Sequence, residues 1–340
     1  MSQFRFLVIG SNSFSGSHFV DYLLENEYSV WGVSRSQQPD DIFLPYKWGL
    51  NNTSRSRNLE NNYYFETIDL NKQIERLLEI VDDNKITHIV NFASQGMVAE
   101  SWLDPIHWYQ TNLLAQVAFH DQLRKREFIE KYVHITTPEV YGSTDKGWIK
   151  ESLNFSPSTP YAVSRAACDL HLISFYQAYN FPVVFTRAAN VYGPGQQLYR
   201  IIPRTMLSAS TGKEMELHGG GLSKRSFIHI KDVVNATLLL ALNAEAGTTW
   251  HISTTESISI RRLVEKICKL FDISLDSIVN IGEERLGKDQ NYLLDSSHIR
   301  EKYGWSEKVS LEQGLEDTSK WIDRNHQKLV SLPWSYIHKQ

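Results

Sequence analysis

The chain has 340 residues, of which 41% are hydrophobic and 22% charged, the make-up of a folded globular protein and not of a disordered one. Its net charge of -4, with no polybasic run, gives no electrostatic support to binding of nucleic acid or an acidic membrane surface. Apolar runs such as ATLLLALNA fall short of a bilayer span, and the N-terminus shows no signal-peptide pattern. The two distant cysteines, Cys168 and Cys268, lack metal-type spacing and read as thiols of a reducing cytosol.

In chain order, the bounded apolar run FRFLVIG predicts a buried strand. SHFVDYLLENE, with Phe19, Leu23 and Leu24 at helical spacing, predicts a helix. YSVWGVSR and YYFETIDL read as strands two and three, and the polar stretch between them, residues 37–62, as a loop. KQIERLLEIVDD predicts a helix, ITHIVNFAS a fourth strand, and PIHWYQTNLLAQVAFHDQLRK one long helix. KYVHITTPEVYG predicts strand five and its exit loop. PYAVSRAACDLHLISFYQAY predicts a second long helix, opened by a proline whose missing N–H costs nothing there. FPVVFTRAANVYGPG supplies strand six. This alternation implies an α/β fold around a doubly wound parallel sheet, whose strands are apolar because helices cover both faces. Beyond Gly193 the regularity drops, and the remaining elements suggest a smaller attached α/β unit.

Four sets of residues carry chemistry. GSNSFSG lies at the first strand–helix junction, with Gly10 and Gly16 at the ends of a phosphate-loop spacing and Asn12, Ser13, Phe14 and Ser15 between them. Such a loop turns backbone N–H groups and a helix N-terminus toward a pyrophosphate. Strand two ends in Ser34, Arg35 and Ser36, without the acid that would bind the ribose hydroxyls of NAD. Ser34 and Arg35 suit a 2′-phosphate and favour NADP; the alternative is a solvated surface arginine. Asp69, followed by Leu70, is placed either to accept from an adenine amino group or to cap its own loop. Strand five delivers Thr137 and Glu139 to the carboxyl end of the sheet, where ligands bind in such folds. Tyr161 and Arg165 stand four apart, on one face of a helix, where the cation stabilises a phenolate.

Together with SWLDPIHWYQTNLLA, TRAANVYGPG, IIPR, HGGGLSKRSFIHIKDV and RLGKDQNYLLDSSHIREKYGW, these motifs resemble those of extended short-chain dehydrogenase/reductases, in the nucleotide-sugar 4,6-dehydratase/epimerase branch. The resemblance covers nearly the whole chain. It implies a Rossmann domain over residues 1–188, with 225–252 returning to it, and a substrate domain from 189–224 and 253–330. It implies a tightly bound NADP or NAD, contacted further by Phe92, Ala93, Ser94 and Ala188, a nucleotide-diphosphate sugar substrate, a homodimer and a cytoplasmic setting. Tyr161 matches the base that takes the sugar O4 proton, Thr137 the hydroxyl that bonds O4, and Glu139 the base at C5. Gln95, Asn190, Arg200, Arg225 and Arg285 match or neighbour positions that bind substrate, and the dimer is expected to pair the two long helices through Leu114, Val117, Leu172 and Phe175.

Two departures stand out. Pro138 replaces the acid that usually protonates the leaving C6 hydroxyl, and Arg165 replaces a lysine. Arginine keeps the charge and the ribose bond but does not relay a proton. Where dTDP-sugar members carry Pro-Glu-Lys, this chain has Leu198, Tyr199 and Arg200, which leaves the base open. The expected reaction is 4,6-dehydration: oxidation at C4, loss of water across C5 and C6, and return of the hydride to C6. The alternatives are 4-epimerisation, net C4 oxidation or uronate decarboxylation on the same fold, and, outside catalysis, an NADP-binding sensor or scaffold.

Overall fold

The computed structural model describes residues 4–143, 147–283 and 291–338. Seven parallel strands form the main sheet: β1 (Arg5–Ile9), β2 (Ser29–Ser34), β3 (Tyr63–Thr67), β4 (His88–Asn91), β5 (Lys131–Ile135), β6 (Val183–Ala188) and β7 (Thr249–Ile252). Their spatial order is β7-β6-β5-β4-β1-β2-β3, so the chain starts near the centre, winds one way, returns and winds the other. The point of reversal, between β1 and β4, opens a crevice at the carboxyl ends.

Alternation along each strand divides the core. Phe6 and Val8 face one layer with Phe19 and Val20 of the first helix, Phe14–Glu25, and with helix Ile230–Asn243. Leu7 and Ile9 face the other, with Leu77 and Val81 of helix Ile74–Asp83, Phe119, and Leu172 of helix Pro160–Tyr179. Each such side chain, removed from water, contributes roughly 1.5–3 kcal/mol. A third cluster, including Ile202, Met206, Leu263, Ile267 and Trp321, holds the smaller, second unit together. That unit contributes only short strands. Ile258–Ser259, Lys224–Arg225, Asn291–Leu294 and Trp148–Ile149 form one small sheet, and two strand pairs add to it. Among the described residues no helix is long and apolar enough to cross a membrane.

Two elements differ from expectation. Residues 37–62 are not all loop: Thr53–Asn62 is a helix, preceded by two short 3-10 turns. None of its side chains is buried, so its sequence carries no apolar stripe. Local polar chemistry holds it instead. Asn52 caps it, accepting from Ser54 N at 3.0 Å and Arg55 N at 3.3 Å. Arg55 ties it to Asp21 of the first helix and, at 2.6 Å, to Trp48 O. The long helix expected after residue 104 is also interrupted. A π-helical turn at Gln110–Leu114 separates Pro105–Tyr109 from Ala115–Leu123. The widened turn buries Asn112, whose amide then pairs with the exit of β4. Such insertions recur at functional sites.

Candidate active site

The loop after β1 is shaped by its backbone. Gly10 adopts a φ of +83°, and its N–H donates to Val33 O at 2.7 Å. A Cβ there would meet Ala93 N at 2.9 Å, and one at Gly16 would meet Gly10 O at 2.2 Å. Both positions therefore exclude any side chain. Ser13, where the motif's middle glycine would fall, is the cap of the first helix and accepts from Gly16 N at 3.1 Å. Phe14 turns into the core, and Ser15 stays at the helix entrance. The exit of β2 braces this loop. Ser34 Oγ accepts from Asn12 N at 2.9 Å, and Asn12 Nδ2 donates to Ser36 O at 2.9 Å. The Ser34 hydroxyl thus fixes the loop, while the half-buried Arg35 reaches toward His107, its Nη1 3.5 Å from His107 Nε2. Asp69 caps its own loop, accepting from Asn71 N at 3.0 Å, while Leu70 packs in the core. Phe92, Ala93 and Ser94 form the exit of β4, with Ser94 exposed, and Ala188 ends β6.

Thr137 and Tyr161 meet beside this crevice. Thr137 caps a short turn, Pro138–Tyr141, that carries Glu139. Thr159 caps helix Pro160–Tyr179, accepting from Ala162 N at 3.2 Å, and this sets Tyr161 at its first turn. The Tyr161 and Thr137 hydroxyls lie close enough for Thr137 to act on the phenol. Burial raises the Tyr161 pKa above the usual phenol value, and the Glu139 carboxylate adds to it. Arg165, Thr137 and Arg200 pull the other way without prevailing. The pair therefore does not hold a phenolate by itself. Arg165 is 2% exposed. One of its terminal nitrogens donates to Ile135 O, while its Nε and Nη1 have no hydrogen-bond partner among the described residues.

Substrate-side candidates face the same space. Glu139 and Arg200 act electrostatically on both Tyr161 and Tyr292. Arg225 stacks over Tyr292 at 4.0 Å, and Tyr292 donates to Asn190 Oδ1 at 3.2 Å. Gln95 is buried, its side-chain nitrogen 3.1 Å from His107 Nε2. Arg285 lies outside the described residues. Tyr292 was not singled out in the sequence, although the run containing it was; its pairing with Arg225 in a parallel strand is a long-range event with no local signal. Asn112 and Ser164 were missed likewise. Asn112 Nδ2 donates to Ser164 Oγ at 3.0 Å, and Ser164 donates to Tyr161 O at 2.7 Å, which ties β4 to the helix bearing the tyrosine.

Known proteins share the sequence pattern and fold of this chain. The model of the GDP-mannose 4,6 dehydratase family matches residues 7–318. A dTDP-glucose 4,6-dehydratase of Streptomyces niveus is 32% identical over 324 residues, covering 94% of this chain and 93% of that protein. A trifunctional UDP-glucose 4,6-dehydratase/UDP-4-keto-6-deoxy-D-glucose 3,5-epimerase/UDP-4-keto-L-rhamnose-reductase of Arabidopsis thaliana is 27% identical over 324 residues; they are 94% of this chain, which spans about half of that longer protein (47%). Among solved structures, a dTDP-glucose 4,6-dehydratase of Streptomyces venezuelae with NAD bound superposes with a TM-score of 0.84 at 26% identity, over 95% of this chain and 98% of that one. The chain belongs to the GDP-mannose 4,6 dehydratase family, within the short-chain nucleotide-sugar dehydratases and epimerases.

Proposed function

We propose that this protein is a nucleotide-sugar 4,6-dehydratase working with a nicotinamide dinucleotide. The observation that carries the reading is the meeting of Tyr161 and Thr137 beside Glu139, next to a buried guanidinium two of whose nitrogens have no hydrogen-bond partner among the described residues. The chain fits the cofactor. Gly10 and Gly16 let the loop turn tightly against Ala93 and its own backbone, which leaves backbone N–H groups and a helix N-terminus to face a pyrophosphate, and the Arg165 nitrogens without a partner among the described residues suit ribose hydroxyls. When bound, the dinucleotide supplies hydride acceptance and return. The relatives' NAD does not fix which dinucleotide this chain takes. Arg35, and the lack of an acid at the end of β2, support NADP.

In this reading Tyr161 accepts the O4 proton while Thr137 holds O4 in line. Because burial raises the tyrosine pKa, Arg165 is needed to stabilise the phenolate as it forms. Oxidation at C4 acidifies C5–H, and Glu139 removes that proton. Pro138 has none to give. Glu139 therefore passes its new proton to the C6 hydroxyl, so that C5–H and C6–O break, a C5–C6 double bond forms and water leaves. Arg225, Asn190 and Arg200 hold the diphosphate. We place residues 1–188 and 225–252 with the cofactor and the remainder with the sugar nucleotide, with Arg225 and strand Trp148–Ile149 reaching across into the small sheet of the second unit. The two buried free thiols accord with a cytoplasmic setting. A homodimer through the two long helices fits the exposed Ile106, Leu114, Val163 and Leu170. Leu172 is instead fully buried in the core, with Phe175 packed against it. Light scattering of an Ile106→Glu/Leu170→Glu variant tests the dimer; a dimer that persists removes this face.

The deciding experiment is product mass after incubation with nucleotide-sugars. Loss of water supports dehydration. An unchanged mass, or loss of two hydrogens or of carbon dioxide, supports the second reading, C4 chemistry without elimination, which Pro138 favours. No turnover with any sugar leaves the sensor reading.

A further inference from the structure

The C-terminal residues cross the site. Helix Leu311–Ser331 ends against the substrate-side unit, and Trp334 is anchored there. Its Nε1 donates to Leu329 O at 3.0 Å, its carbonyl accepts from Arg204 at 3.3 Å, and the Arg204 guanidinium stacks on its ring at 5.2 Å. Beyond this anchor the chain leaves its own unit. The Tyr336 ring meets Tyr199 edge-on at 5.4 Å, and it feels the charges of both Arg35 and Arg200. His338 lies flat on Trp108, 5.1 Å between centroids and 12° from parallel. Its Nε2 is 3.0 Å from His107 Nδ1, and its Nδ1 is 3.0 Å from the Tyr336 hydroxyl.

These bonds form one directed chain. Gln95 Nε2 (3.1 Å) and Arg35 Nη1 (3.5 Å) both approach His107 Nε2, and both are donors, so that nitrogen accepts. His107 Nδ1–H then donates to His338, whose Nδ1–H donates to Tyr336. The Gln95 backbone N–H donates in turn to Asn112 Oδ1 at 2.7 Å, and Asn112 is tied through Ser164 to the backbone of Tyr161. The segment thus grips the cofactor-side arginine and the substrate-side glutamine through one imidazole.

We propose that residues 334–338 are a strap that closes the crevice over the bound dinucleotide, with His338 and Tyr336 as positioning residues for Gln95 and Arg35. This rests on the dinucleotide reading above. In a reaction that regenerates its cofactor each cycle, the cofactor has no need to leave, and a strap that delays its release keeps the enzyme loaded.

The test uses the full chain loaded with NADPH or NADH and mixed rapidly with excess oxidised dinucleotide, following release by fluorescence. Replacing 335–338 by Gly-Ser-Gly-Ser removes the strap. H338F keeps a ring on Trp108 but loses both hydrogen bonds. Both are expected to release the dinucleotide about tenfold faster, which is about 1.4 kcal/mol, the order of one or two hydrogen bonds. Gln95→Ala is expected to raise release less than H338F, since one arm of the chain remains. If the Gly-Ser chain does not fold, H338F decides alone. Release at the parental rate in every folded variant overturns the strap while leaving the cofactor reading intact. A parent protein that binds neither dinucleotide overturns both.

Discussion

The side of the crevice built around the Gly10–Gly16 loop, proposed for the nucleotide, and the side around Arg225 and Tyr292, proposed for the substrate, are built by different means. The first is made by backbone: two glycines that tolerate no Cβ, a serine cap, and Ser34 and Asn12 bracing the loop. The second is made by side chains, Arg225 on Tyr292 and Tyr292 on Asn190, carried by strands of two to four residues. A backbone site fails abruptly when a single atom is added. A side-chain site yields by degrees, because neighbouring groups remain when one is removed. This contrast suits a family that keeps one cofactor chemistry while changing the sugar nucleotide it accepts.

The largest effect is expected where the halves meet. Tyr161→Phe should lower single-turnover cofactor reduction by about 100- to 10,000-fold, the usual weight of a general base. Glu139→Gln should leave that reduction in place and stop loss of water, read by product mass. Parental reduction in Tyr161→Phe would remove Tyr161 as the base. Next, Gly16→Ala should weaken dinucleotide binding by about 100-fold, or about 3 kcal/mol of overpacking, because its Cβ would stand 2.2 Å from Gly10 O. Calorimetry with NADP and NAD measures it, and unchanged affinity would show that the loop is not the site. Arg225→Ala should cost about 2 kcal/mol in substrate binding, that of a charge-assisted bond, and leave dinucleotide affinity alone. Equal losses for both ligands would erase the division between the halves.

The smallest effect concerns the seam. His18, on the first helix, lies 2.8 Å from Pro194 O of the other half, and burial lowers its pKa to about 3, with His229 and Lys231 adding to this. The folded protein keeps this imidazole neutral, while the unfolded chain protonates it near 6.5. The unfolded state therefore binds the extra proton, and stability falls as pH drops from 6.5 toward about 3. At pH 5.5 His18→Gln should recover about 1.4 kcal/mol of this acid loss relative to pH 7.5, read from denaturant midpoints. An identical pH slope in parent and variant would place the acid sensitivity elsewhere.

Legibility in the sequence follows the same contrast. The glycine spacing, the capped helix bearing Tyr161, and the apolar strands are local patterns, and each appears in the structure where its residues predict it. Helix Thr53–Asn62 was invisible because it has no apolar face. The π turn was invisible because one extra residue in a helix leaves no compositional trace. Tyr292, Asn112 and the His107–His338 contact depend on residues brought together from far apart, the last across 231 positions. Spacing reports the Arg165 cation one turn from Tyr161, which does lower the phenol's pKa, but not the depth of burial that raises it.

The last strand of the main sheet, Thr249–Ile252, pairs with Val183–Ala188 only after the chain has left the sheet through residues 189–224 and returned. During synthesis, β6 is made well before its outer neighbour and presents an unpaired edge, four of its six residues apolar, in the interval. Folding cannot then proceed as two independent events in sequence order. The ribosome has to deliver the intervening residues before the first sheet is complete, and a nascent chain stalled between positions 190 and 248 is the species most exposed to self-association and most in need of a chaperone.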